Sequence, residues 1–138
     1  MIKELWLNLP VKDVQKAREF YTSIGFEHNT RFQETPQMAS LFVGGKKTVL
    51  MLFSESVFQG FSQLPVADTR EAASVLFSID AESPQEIDEL AEKVKNAGGT
   101  IYGNPGESQG WMYGCGFTDL DGHRWSAIYM DMSKMPQG

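Results

Sequence analysis

The sequence is poor in the residues on which much protein chemistry relies. It has one cysteine, Cys115, and two histidines, His28 and His123. A lone thiol excludes an intramolecular disulfide, and a reducing cytoplasm is the expected setting. Long hydrophobic runs are missing too: the longest, Val49 to Phe53, falls far short of the roughly 20 apolar residues a membrane helix needs. Near the start no apolar stretch leads to a small-residue cleavage site, so no secretory signal is expected. Basic residues are outnumbered, with 12 Lys and Arg against 18 Asp and Glu and a net charge of −6. The densest basic spot is Lys46-Lys47, in an expected hairpin turn. Such a surface repels phosphate, which argues against nucleic acid and anionic membranes as partners.

What is present is a globular composition. The chain has 138 residues, 41% hydrophobic and 22% charged, which suits one core-forming domain. From Lys3 to Val11 apolar residues alternate, as in a strand with one face in a core. Asp13 can cap a helix carrying Val14, Ala17, Phe20, Tyr21 and Ile24 at helical spacing, and Gly25 supplies its stop. Strands are expected at Glu27–Phe32, Met38–Val43 and Thr48–Phe53, which makes a βαβββ module over residues 1–53. Residues 54–73 lack either periodicity and read as a connecting segment with Phe58 and Phe61 as apolar pegs.

The pattern then repeats over 74–131. A strand at Ser74–Asp80 precedes Ser83-Pro84-Gln85-Glu86, the ingredients of a capping box with Pro at the first helical position. Ile87, Leu90, Ala91, Val94 and Ala97 form a helical stripe that Gly98-Gly99 ends. Strands at Thr100–Tyr102, Trp111–Thr118 and His123–Met130 complete the second βαβββ, and 132–138 is a tail. The repeat offset is about 70 residues.

Two stretches carry a resemblance. Leu7–Glu27, with Phe20-Tyr21 and Gly25-Phe26, and Gly116–Asp131, with Asp119-Leu120-Asp121-Gly122-His123, stand at opposite ends of the doubled module. Together they resemble the vicinal oxygen chelate superfamily, which includes glyoxalase I, extradiol dioxygenases and bleomycin resistance proteins. The resemblance implies an α+β fold of two βαβββ modules in a cupped eight-stranded mixed sheet, and a homodimer. It also implies four metal-ligand positions, which here fall on Trp6, Met51, Ser74 and Ser126. Indole offers no lone pair, a lone thioether suits Cu(I), and hydroxyls replace imidazole or carboxylate poorly. Slips of two residues in register give no better set, so no metal and no other cofactor is expected.

Other clusters have plainer readings. Cys115 has no basic or imidazole neighbour in sequence and reads as a buried, inert thiol. Asp119-Leu120-Asp121-Gly122 lacks the later ligands of a calcium loop and reads as a turn. His28 is expected to be exposed, and His123 to face the helix side of its strand. The apolar cleft face is the informative feature: Trp6, Met51, Leu76, Trp111 and Tyr113, with Asn8, Ser74 and Ser126 as hydrogen-bonding groups, resemble a pocket lining. The leading expectation is therefore a metal-free binder of a small, flat, apolar or aromatic molecule. A metal-dependent glyoxalase-like lyase or dioxygenase, and a protein-interaction module using the same face, are the alternatives.

Overall fold

The computed structural model describes residues 1–136; residues 137–138 of the expected tail lie outside the described residues. The chain divides between Asp68 and Thr69 into two units, each holding one βαβββ module. The fold is α+β, and the eight strands of the described residues form two four-stranded mixed sheets, one in each unit. Among the described residues no helix is long and apolar enough to cross a membrane.

In the first unit, alternation makes β1 (Trp6–Val11), with Leu9 and Val11 buried and Trp6 and Asn8 on the other face. Asp13 then opens α1 (Val14–Ser23), its Oδ1 accepting from the Lys16 amide at 3.0 Å. Val14, Ala17, Phe20 and Tyr21 are the buried stripe of this helix, and Gly25 takes φ 113° after its end. The remaining strands are β2 (Glu27–His28), β3 (Met38–Val43) and β4 (Thr48–Ser54), in the order β1-β4-β3-β2. β1 runs parallel to β4, and the other pairs are antiparallel.

β1 begins at Trp6 instead of Lys3, and two further expectations for this unit need correction. β2 does not reach Phe32, because buried Asn29 turns the chain. Its Oδ1 accepts from the Arg31 amide at 3.1 Å and its Nδ2 donates to Ser40 Oγ at 3.2 Å, an Asx turn that replaces further ladder. The segment expected to be irregular contains α2 (Glu55–Ser62). Eight residues including Gly60 give little intrinsic helical signal. Tertiary contact supplies the rest, as α2 folds back on β1 and β4 and sets Phe61 edge-on to Phe53 at 5.2 Å.

The second unit follows the same plan with β5 (Leu76–Asp80), α3 (Pro84–Asn96), β6 (Thr100–Ser108), β7 (Met112–Thr118) and β8 (Arg124–Met130). Its sheet order is β5-β8-β7-β6. Ser83 Oγ accepts from the Glu86 amide at 3.2 Å, while Glu86 reaches back to the Glu82 amide at 2.8 Å, one residue before the cap. Ile87, Ala91 and Val94 bury one face of α3, and the sheet contributes Phe117 stacked on Trp125, both almost wholly buried. Asp119 Oδ1 accepts from the amides of Asp121 at 2.9 Å and His123 at 2.8 Å, and Gly122 sits at φ 87°. The expected turn chemistry therefore stands.

β7 and β8 each begin one residue later than expected, and the limits of the other two strands differ further. β5 begins at Leu76, so Ser74 precedes the strand. β6 runs to Ser108 instead of stopping at Tyr102, through Gly103, Pro105 and Gly106. Proline is tolerated there because β6 is an edge strand of its sheet, and its register shifts between Ile101 and Gly103 and between Gly103 and Gly106.

Candidate functional site

Each sheet has one face under its amphipathic helix and one face turned away from it, and the two units treat that second face differently. In the first unit Val49, Met51 and Phe53 share it with Trp6 and Asn8, as the pairs Trp6 with Val49 and Asn8 with Met51 require. The protein's own side chains occupy it. Phe32 meets Trp6 edge-on at 5.4 Å, and the Arg31 guanidinium lies 5.7 Å from the Phe32 ring centre and 5.9 Å from that of Phe42. Met51 retains only 2% of its surface and Val49 1%.

In the second unit the corresponding face is open. A cavity of about 420 Å³ lies on β6, β7 and β8. Its floor is glycine: Gly103 and Gly106 on β6 pair with Gly116 and Gly114 on β7, so two rungs of the ladder carry no side chains. The walls are Tyr102, Met112 and Ile128, with Asn104, Glu107, Ser108 and Ser126 as polar groups and Cys115 at the border. Tyr102 is fixed at both ends. Its ring lies against Gly116, where a Cβ would come within 2.5 Å of the ring carbons, and its hydroxyl donates to the Trp125 carbonyl at 3.1 Å.

The sequence-derived site residues are distributed as follows. Ser126 lines the cavity. Tyr113 points toward α3, where its hydroxyl donates to Asp88 Oδ1 at 2.7 Å, so the phenol in the wall is Tyr102. Leu76 pairs with Arg124 on the cavity face of β8's neighbour and is largely exposed, and Ser74 lies in the bend before it. Trp111 stands in the turn before β7, its indole N–H buried without a hydrogen-bond partner among the described residues. Trp6, Asn8 and Met51 belong to the first unit, as described above. The sequence signal for the glycine floor was the doublet spacing of Gly103 and Gly106 against Gly114 and Gly116, legible only once β6 is known to extend through its proline.

Electrostatics around β7 agree with a quiet site. Burial pushes the Cys115 thiol up, and the charge of Asp88 adds to it. A thiol held protonated is a poor nucleophile. The hydrogen bond to Asp88 raises the Tyr113 phenol in turn. Metal binding would need donors of another kind: Trp6, Met51, Ser74 and Ser126 do not form a set that suits a divalent ion. Among the described residues no three His, Cys, Asp or Glu side chains gather into a group that could hold one.

Residues 5–127 match the family model of the Glyoxalase/Bleomycin resistance protein/Dioxygenase superfamily. The chain belongs to this superfamily. Among solved structures, this glyoxalase-superfamily chain is similar to the hypothetical protein SA1046 of S. aureus, at 35% identity and a TM-score of 0.81 over 94% of each chain. A glyoxalase/bleomycin resistance protein/dioxygenase family enzyme of Burkholderia phytofirmans PsJN shares 16% identity, with a TM-score of 0.78 over 91% of this chain and 97% of that one. A lactoylglutathione lyase of Agrobacterium tumefaciens, at 16% identity and a TM-score of 0.65 over 96% and 97% of the two chains, shares the superfamily fold. No curated protein matches the chain.

Proposed function

We propose that this protein binds a small, flat, largely apolar molecule on the glycine floor of its second sheet, without a metal ion. The observation that carries the reading is the floor itself. The glycine pairs carry no side chains, and with the Tyr102 ring covering Gly116 they leave room for a planar ligand beside that ring, against Met112 and Ile128. The volume of about 420 Å³ falls in the range of roughly 300–1,000 Å³ typical of ligand sites. Ser126 and Asn104 supply the few hydrogen-bonding groups that orient such a ligand. Binding or sequestration needs no activated nucleophile, in keeping with the raised Cys115 thiol. A homodimer belongs to the same reading: the exposed apolar side chains Leu5, Val75 and Leu76 offer surface for a second copy to cover.

The test is protein NMR with a panel of planar aromatic compounds. Binders are expected to move the amide signals of Gly103, Gly106, Gly114 and Gly116, and Ser126→Trp, which fills the cavity, is expected to abolish the shifts. Unmoved glycine signals across the panel would overturn the reading, and a stoichiometric divalent ion in freshly purified protein would overturn its metal-free part.

A further inference from the structure

The chain has four arginines. Three are engaged by other groups of the protein: Arg18 with Glu34 at 2.8 Å, Arg31 with Glu4 at 3.7 Å, and Arg70 with the Leu120 carbonyl at 2.7 Å. Arg124 differs. Its guanidinium carbon stands 4.1 Å from the centre of the Tyr102 ring, and among the described residues no carboxylate or carbonyl takes its donors. A guanidinium brings five N–H donors in a planar fork that matches a carboxylate.

The position of Arg124 gives this fork a purpose. Arg124 alternates with Ser126 and Ile128 along β8, so it shares the face on which those two line the cavity. Tyr102, on which it stacks, is a cavity wall and is itself anchored to the Trp125 carbonyl. The cation is therefore held in place before any ligand arrives, which limits the entropy lost on binding.

We infer that the ligand is a planar aromatic carboxylate, its carboxylate on Arg124 and its ring beside Tyr102 on the glycine floor. This inference rests on the cavity being the binding site, and it adds the charge and orientation of what binds there.

The test compares 2-naphthoate with its neutral isostere 2-naphthamide, following both affinity and the four glycine amides. The carboxylate is expected to bind about tenfold tighter or more, as a charge-assisted pair would give. Arg124→Gln should bring naphthoate down to the amide level while leaving naphthamide unchanged. Should Arg124→Gln fail to fold, the wild type still decides: added salt should weaken naphthoate and spare naphthamide. Equal affinity of both probes, with the glycine amides shifting, would overturn the role of Arg124 and leave the cavity reading standing. If neither probe moves those amides, both fail.

Discussion

The Tyr102 ring lies directly on the Gly116 backbone, so close that a Cβ at Gly116 would fall 2.5 Å from two ring carbons. The absence of a side chain at one strand position thus sets the wall of the cavity on the next strand. Gly116→Ala should push the ring off its seat, lengthen the bond from its hydroxyl to the Trp125 carbonyl and release Arg124 from the ring. Urea unfolding should show a loss of about 1–3 kcal/mol, the usual cost of overpacking, and ligand binding should weaken in parallel.

Both long helices depend on single side-chain caps. Asp13→Ala removes the acceptor for the Lys16 amide, and Ser83→Ala removes the one for the Glu86 amide. Each is expected to cost about 1 kcal/mol, read as a lower urea midpoint. Because the two caps share no partner and lie in different units, the double variant should lose the sum.

Phe117 stacks on Trp125 at 6.2 Å, and Trp125 also meets Phe77 at 4.9 Å, so one indole joins three strands of the second sheet. Phe117→Ala leaves a void in this cluster and should destabilise by about 3–5 kcal/mol. Near-ultraviolet circular dichroism should report the loosened indole. Phe61→Ala should cost far less, because Phe61 keeps 72% of its surface exposed despite touching Phe53.

Cys115 should react slowly with iodoacetamide at neutral pH. Burial raises its thiol first and Asp88 second, so the thiolate forms only at higher pH than in a free thiol. The rate should climb with pH later than that of glutathione, and Asp88→Asn should move the climb slightly downward. A thiol already fully reactive at pH 7 would contradict the assignment.

Tyr113 gives a pH signature of stability. Its phenol is raised in the folded protein, chiefly by the hydrogen bond to Asp88. The folded state therefore holds this proton more tightly, so the contribution is present below the ordinary phenol value of about 10 and is lost as pH rises through the raised one. Alkaline unfolding of Tyr113→Phe should lack that component.

Much of the fold was legible because it rests on local rules. Alternation in Trp6–Val11 and spacing in Val14–Ser23 and Pro84–Asn96 state their elements, and Asp13, Ser83, Gly25 and Gly122 punctuate them. The helix Glu55–Ser62 was not legible, since its eight residues gain stability from contact with β1 and β4 and from little of their own. The extension of β6 past Tyr102 was hidden by Pro105, which only an edge strand accepts.

The sequence by itself determined the doubled module, the helix faces, the turn at Asp119–Gly122 and the absence of imidazole and carboxylate at Trp6, Met51, Ser74 and Ser126. It also marked one face of each sheet as apolar. Which of those faces keeps space was decided by tertiary structure alone. In the first unit Arg31 and Phe32 fold onto the sheet over Trp6 and Phe42, and Met51 is covered. In the second, four glycines paired across β6 and β7 carry no side chains, so a cavity stays open beside the Tyr102 ring that covers Gly116. Space depends on which side chains meet across non-adjacent segments, and no local pattern encodes that.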